Sequence, residues 1–211
     1  MKSWIKKIGQ NRFQFFFFVG ILALLFIALI LSATADPIDN TPIEEPNDKQ
    51  PIDHEEDPVP EVLKHPFDNV SDFIVVRKFY ERDASQSDQE KALIKYGTSY
   101  RISVGTSFAR IDNQPFDVKS AFSGTVIEVR ESPLYGNYCI IEHTDNIKTH
   151  YYGLSEVTVK AGDTVKQGDK IGVSGTTEID QEAGNHVYFK VVRGSKNINP
   201  EKVFGKTTAQ I

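Results

Sequence analysis

The sequence predicts an all-β domain of the sandwich or barrel type, preceded by one N-terminal transmembrane helix and a proline-rich linker. Three observations support this architecture. They are an uncharged, largely apolar run over residues 13–35, six of the chain's ten prolines within residues 36–61, and short apolar strands separated by glycines from residue 100 onward. Strands at such short spacing, with little helix between them, are typical of all-β sandwiches and barrels.

The 211-residue chain carries a formal net charge of −5, and this charge is unevenly distributed. Residues 1–35 contain four basic and no acidic residues, residues 36–61 contain ten acidic residues and one lysine, and the remainder is neutral. Because a nucleic-acid-binding domain needs a concentrated basic face, the neutral C-terminal region excludes nucleic acid as a partner. The single cysteine excludes an internal disulfide framework and a cysteine-rich zinc module.

Residues 13–35 are predicted to form the transmembrane helix. At about 1.5 Å per residue they would span about 34 Å, which is enough for a hydrocarbon core of about 30 Å. Basic residues precede this run and Asp36 follows it, so the positive-inside rule places the tail, residues 1–12, in the cytoplasm and the domain outside. A cleaved signal peptide is the alternative, because Ala33-Thr34-Ala35 fits a cleavage site. Signal peptides have apolar segments of only about 7–15 residues, so an uncleaved anchor is favoured.

Residues 36–61 are predicted to form an extended linker, because a segment this acidic and proline-rich cannot bury enough apolar surface to offset chain entropy. In polyproline geometry, at about 3.1 Å per residue, the linker would reach about 80 Å. It is either a spacer that holds the domain away from the bilayer or an acidic solvating tether of no particular length.

Residues 62–99 are predicted to be an N-terminal extension of the domain, with a strand at 73–80 and a short helix at 85–94. The domain itself is predicted over residues 100–204. Its clear strands are 118–130, 138–143, 148–154, 159–165, 170–173 and 186–193. Cys139 lies within one of these strands and is interpreted as a buried apolar residue, not a nucleophile.

Several segments of residues 100–204 together resemble the LytM (lysostaphin-like) zinc endopeptidase domain. The matching motifs are Val118-x-x-Ala121-x-x-Gly124-x-Val126, Gly136-Asn-Tyr-Cys-Ile-Ile-Glu-His143, Val159-x-x-Gly162-Asp-x-Val165-x-x-Gly168-x-x-Ile171-Gly-x-Ser174-Gly175, Gly184-Asn-His-Val-Tyr-Phe189 and Asn199-Pro200. The resemblance implies a curled antiparallel β-sheet with a groove. In active members of the family this groove binds cell-wall peptides and one zinc ion.

The resemblance also locates the zinc ligands of the family, and in this chain they are replaced. The His-x-x-x-Asp ligands correspond to Ser103 and Ser107, and the second histidine of the His-x-His motif corresponds to Tyr188. Of the family's two further catalytic histidines, one corresponds to Gly153 and only His186 is retained. Serine hydroxyls and a neutral tyrosine are poor zinc ligands, and without zinc no water is activated. The resemblance therefore implies a pseudoenzyme with no metal, no other cofactor and no catalytic residue.

A zinc site rebuilt from other histidines is disfavoured. His150 lies three residues before Gly153 on a predicted strand, so the alternation of strand side chains places these two positions on opposite faces. His143 belongs to another strand end, and His65 precedes the domain.

The order of tail, membrane helix, acidic linker and degenerate LytM domain resembles the stage II sporulation protein Q family of endospore-forming bacteria. Residues 79–85 and 93–100, outside the peptidase core, add to this resemblance. It implies a forespore-membrane protein that binds the mother-cell membrane protein stage III sporulation protein AH across the intermembrane space, within a ring-forming assembly for engulfment and channel formation. The alternatives are a murein zinc endopeptidase, an activator of a murein hydrolase and a membrane-anchored module that binds peptidoglycan.

Overall fold

The computed structural model describes residues 60–211. The predicted cytoplasmic tail, the transmembrane helix and nearly all of the linker lie outside the described residues. Within residues 60–211, no helix is both long enough and apolar enough to cross a membrane.

Residues 60–211 form one short α-helix and twelve short strands. In chain order these are β1 (Phe73–Arg77), α1 (Gln86–Lys91), β2 (Leu93–Tyr96), β3 (Ser99–Ile102), β4 (Thr106–Arg110), β5 (Asp117–Lys119), β6 (Gly124–Arg130), β7 (Asn137–Glu142), β8 (Ile147–Val157), β9 (Thr164–Val165), β10 (Lys170–Ser174), β11 (His186–Arg193) and β12 (Lys196–Ile198). The predicted all-β class is confirmed for this part of the chain.

Ten of the strands form one antiparallel sheet whose main path runs in the order β1-β4-β11-β8-β7-β6-β9. Strand β10 pairs with β5 and β8, and β12 pairs with β11. Strands β2 and β3 form a separate two-stranded hairpin. The antiparallel sheet that the resemblance implies is therefore present, with β4, β11 and β8 adjacent near its middle.

One face of strand β11 packs into the hydrophobic core, and its other face points away from the core. Val187, Phe189 and Val191 are completely buried in the hydrophobic core. The residues between them point to the opposite side, because successive side chains of a strand alternate between faces. The residues of the degenerate His-x-His motif therefore lie on the face away from the core.

The core contains one tyrosine whose hydroxyl is fully satisfied. Tyr151 is completely buried, and its Oη accepts hydrogen bonds from Ala121 N–H (2.9 Å) and Thr149 Oγ1 (2.9 Å). Cys139 is also completely buried, and burial raises the pKa of its thiol to about 12. Cys139 is thus a protonated, apolar core residue, as the sequence indicates.

Some predicted elements are shorter than expected, and in the first case local hydrogen bonds explain why. The predicted strand 118–130 divides into β5 and β6, because Ser120 N–H and Oγ bind the carbonyl oxygens of Asp169 and Phe122 in a turn. The predicted helix 85–94 begins after Ser85, whose Oγ accepts from Asp88 N–H, but ends at Lys91. The predicted strand 159–165 is reduced to the two residues of β9.

Candidate functional site

The central strands bring the predicted zinc positions together. Tyr188 on β11 is the register partner of Ser107 on β4 and of Tyr152 on β8. Ser103 lies just before β4, and its Oγ is 3.3 Å from Tyr188 Oη. Ser103, Ser107 and Tyr188 thus converge on one region of the sheet.

Backbone bonds from the N-terminal extension hold Ser103 in this position. Its N–H donates to the Ala92 carbonyl oxygen (2.8 Å), and its carbonyl oxygen accepts from Tyr80 N–H (2.9 Å). Ala92 and Tyr80 both lie outside the motifs of the peptidase core. The extension therefore forms part of the structure that shapes the site.

A cavity of about 320 Å³ lies over these strands. Its floor is formed by Ser107, Tyr152, His186, Tyr188 and Lys190. The hairpin of β2 and β3 contributes one wall, and the segment that precedes β11 contributes another. Of the positions that correspond to the family's zinc ligands and catalytic histidines, Ser107, His186 and Tyr188 therefore line this cavity.

The hydroxyl of Tyr188 is engaged by the protein itself. Val104 N–H donates to Tyr188 Oη at a distance of 3.0 Å, and Ser103 Oγ donates to the Gly105 carbonyl oxygen at 2.8 Å. Burial is the main cause that raises the pKa of the Tyr188 hydroxyl, so the group stays neutral near pH 7. A side chain at Gly105 would not fit, because a Cβ there would lie 2.9 Å from Tyr188 Cζ and 2.6 Å from the Phe189 carbonyl oxygen.

Unlike the hydroxyl of Tyr188, the hydroxyl of Ser107 has no hydrogen-bond partner within residues 60–211. The residue is completely buried, lines the cavity, and its Oγ makes no hydrogen bond within residues 60–211. Buried hydroxyls are usually paired in folded proteins. Ser107 Oγ is therefore an unpaired hydroxyl that is enclosed beneath the floor of the cavity.

His186 is held as a neutral imidazole. Its Nδ1 donates to the Gly184 carbonyl oxygen at 2.9 Å, which fixes the tautomer and leaves Nε2 without a proton. Burial lowers the pKa of His186, and this outweighs the opposite effect of the hydrogen bond to Gly184. The hydrogen-bond partner of its Nδ1 is thus a backbone carbonyl oxygen of the segment just before β11.

A side chain at position 153 would point toward His186, but it would have little room. A Cβ on Gly153 would lie 3.6 Å from His186 Nε2 and 3.2 Å from the His186 carbonyl oxygen. Gly153 also has a φ of +80°, which interrupts the alternation of β8. The prediction that His150 and position 153 face opposite sides is therefore wrong. His150 lies beside Tyr152, with its Nδ1 3.3 Å from Tyr152 Oη, and does not line the cavity.

The residues at the site do not fit a zinc ion. Catalytic zinc needs about three protein ligands that present a lone pair or a negative charge. The three corresponding positions offer two serine hydroxyls and a neutral phenol that already accepts a backbone hydrogen bond. Across residues 60–211, no group of three or more histidine, cysteine or acidic residues is placed to hold a metal.

A buried ion pair beside the cavity was not predicted from the sequence. Arg77 Nε donates to Asp180 Oδ2 (2.9 Å), Arg77 Nη2 donates to Asp180 Oδ1 (2.6 Å), and Arg77 Nη1 donates to the Leu93 carbonyl oxygen (2.6 Å). The Arg77 guanidinium thus joins β1, the hairpin and the segment before β11. The partners are 103 residues apart in the chain, so no local pattern could have indicated this pair.

Comparison with known proteins places these features in a family. Residues 101–200 match peptidase family M23. Stage II sporulation protein Q of Bacillus subtilis (strain 168) is 40% identical over 144 residues, which are 68% of this chain and 50% of that protein. The chain therefore spans half the length of this curated relative.

Two solved structures show the same similarity in three dimensions. A crystal structure of a SpoIIIAH and SpoIIQ complex matches with a TM-score of 0.65 and 38% identity, covering 66% of this chain and 98% of the matched chain. A structure of the SpoIIQ–SpoIIIAH pore-forming complex matches with a TM-score of 0.68 and 37% identity, covering 71% of this chain and 94% of the matched chain. Because nearly the whole of each matched chain is covered at these identities, the chain belongs to the stage II sporulation protein Q family.

Proposed function

We propose that this protein is a non-catalytic, membrane-anchored sporulation protein whose domain binds a membrane partner similar to SpoIIIAH. Two observations support the partner: the family membership and the fact that the solved relatives are SpoIIQ–SpoIIIAH complexes. The proposal that the protein is non-catalytic rests on one observation: the positions that correspond to the family's zinc ligands, Ser103, Ser107 and Tyr188, carry only neutral hydroxyl groups.

The proposed arrangement places residues 13–35 in the forespore membrane and the domain in the space between the two membranes. The acidic linker then extends the domain toward its partner. Two proteins tethered to facing membranes meet at a high effective concentration, so an interface of modest affinity suffices. Many such pairs would assemble into a ring, in keeping with the pore-forming complex described for the relatives.

The absence of catalysis is tested by measuring zinc and murein cleavage with the full-length protein in detergent. We expect fewer than about 0.1 zinc ions per chain and no soluble fragments released from purified murein, because three suitable ligands are lacking. The positive control is the triple variant Ser103→His, Ser107→Asp and Tyr188→His, which restores the family's donors and is expected to bind about one zinc ion. Near-stoichiometric zinc together with murein cleavage by the unmodified protein would favour the endopeptidase alternative.

The partner is tested by co-purification. The full-length protein in detergent is expected to co-elute with the ectodomain of a SpoIIIAH-like protein, and not with that of an unrelated single-pass membrane protein. Cross-linking in sporulating cells is expected to capture the same pair. If neither method yields the complex while the protein remains folded, the proposed partner is wrong.

A further inference from the structure

The outermost strand of the main sheet has a free edge. Strand β1 stands at one end of the strand order and pairs only with β4. Apart from that pairing, no backbone hydrogen bond within residues 60–211 reaches residues 74–77. Because the N–H and C=O groups of an antiparallel strand alternate between its two sides, part of the hydrogen-bonding capacity of β1 faces outward and is unused. Such an edge is able to pair with a strand of another chain.

The side chains along this edge are apolar. Residues 73–76 carry neither a charge nor a proline, which are features that protect many edge strands from pairing. Ile74 is 49% exposed, and Val70, just before the strand, is 50% exposed. A β-bulge between Val75 and Arg77 limits the length of a strand that could be added. The edge is therefore short, but it has apolar side chains for a partner to cover.

A groove of about 310 Å³, here named the β1 groove, lies against this strand. It shares no lining residue with the cavity that Ser107 and Tyr188 line. Its two polar lining residues are Glu201 and His65, and burial lowers the pKa of His65, so the imidazole is neutral near pH 7. The other lining residues are apolar: Phe67, Val70, Phe73, Ile74, Val75, Phe108 and Phe204. Apolar side chains of a strand that adds to β1 would pack here.

One carboxylate of the β1 groove has no counterion. Glu201 takes part in none of the ion pairs within residues 60–211. The ammonium group of Lys78 already binds Asp88 at 2.6 Å. Lys202 likewise binds Glu81 at 2.6 Å. Partial burial raises the pKa of the Glu201 carboxyl, and the charges of Asp88 and Glu81 act in the same direction. The unbalanced charge at this end of the groove is therefore negative.

We propose that β1 and the β1 groove form a docking site for one extended strand of a partner protein that carries a basic side chain. The strand pairs with the free edge of β1, its apolar side chains enter the groove, and a lysine or arginine forms an ion pair with Glu201. Alternate side chains of a strand share one face, so a basic residue two positions from an apolar one reaches the same groove. This docking site lies outside the cavity described above and does not depend on the SpoIIIAH-like partner.

Binding is measured by NMR titration of the full-length protein in detergent with three peptides. They are acetyl-Val-Thr-Arg-Thr-Val-amide and the two peptides with glutamine or glutamate in place of the arginine. We expect the arginine peptide to bind at least about ten-fold more tightly than the glutamine peptide, as for a charge-assisted hydrogen bond, and the glutamate peptide to bind most weakly. The chemical shift changes are expected at the amides of β1 and not at those of the β2–β3 hairpin.

Three variants decide whether β1 and Glu201 are responsible. Ile74→Lys places a charge at the free edge and is expected to weaken binding of all three peptides at least about five-fold. Glu201→Gln is expected to abolish the preference for arginine while the glutamine peptide still binds. The matched control Glu131→Gln changes another carboxylate without an ion pair in residues 60–211 and is expected to keep the preference. All three side chains are exposed, so the melting temperature is expected to stay unchanged.

Several results would overturn the proposal. Equal binding of the arginine and glutamine peptides would do so, and so would an unchanged preference in Glu201→Gln. Self-association that Ile74→Lys removes, without any peptide binding, would assign the edge to a second copy of this chain instead. No SpoIIIAH-like protein is present in these titrations, so failure here is distinct from failure of the proposed partner.

Discussion

Replacing Arg77 with alanine is expected to lower the free energy of unfolding by about 3–5 kcal/mol. The side chains of Arg77 and Asp180 are 9% and 5% exposed and form two hydrogen bonds with each other. Removing the guanidinium would leave a buried carboxylate without a counterion and would release the Leu93 carbonyl oxygen. Urea unfolding at neutral pH, followed by circular dichroism, measures the loss.

The matched control is Arg110→Ala, which removes an arginine from a solvent-exposed pair with Asp112. That change is expected to cost less than about 1 kcal/mol, as for other surface ion pairs. Asp180→Ala completes a double-mutant cycle with Arg77→Ala, and the double variant is expected to lose less than the sum of the two single losses. If Arg77→Ala costs no more than Arg110→Ala, the buried pair does not stabilise the wall of the cavity.

Acidification from about pH 7 to about pH 5 is expected to destabilise the domain, with His150 alone contributing about 2 kcal/mol. Burial lowers the pKa of His150 to about 4, and Lys190 and Lys148 act in the same direction while Glu128 opposes them. In the unfolded chain the pKa returns to about 6.5. Between these two values the unfolded state binds a proton that the folded state does not, so stability falls as pH falls through this window.

Urea unfolding at both pH values tests the prediction. His150→Gln removes the titrating group, so its stability is expected to differ between the two pH values by about 2 kcal/mol less than that of the unmodified protein. The pKa values of His65, His143 and His186 are also lowered by burial, so some acid sensitivity is expected to remain. An identical pH dependence in the variant and the unmodified protein would contradict the role of His150.

The elements that the sequence predicts well are those with a one-sided apolar pattern. Strand β11 was predicted with its observed bounds, because its buried residues alternate regularly. Strand β4 was missed, because four of its five residues are buried and the Thr106–Arg110 segment lacks such alternation. The β2–β3 hairpin was missed for the opposite reason, since all four residues of β3 are exposed.

Site residues that lie in recognisable sequence motifs could be predicted. Features of the site that depend on strand pairing and backbone conformation could not. The resemblance to the LytM domain indicated Ser103, Ser107 and Tyr188 as neighbours, and the sheet brings them together. That Lys190 lines the cavity could have been predicted from the sequence, because it lies two residues beyond Tyr188 and therefore on the same face of the strand. The direction of position 153 depends on the positive φ of Gly153, which strand alternation does not anticipate.

The buried position of Cys139 has a practical consequence for mapping the assembly. It is the chain's single cysteine, and its thiol is both inaccessible and protonated in the folded domain. Only the thiolate reacts readily with maleimides or disulfide reagents. A cysteine introduced at any surface position would therefore be the one labelled site in the native protein, so spin labels, fluorophores or cross-linkers can be scanned over the domain without first altering its interior.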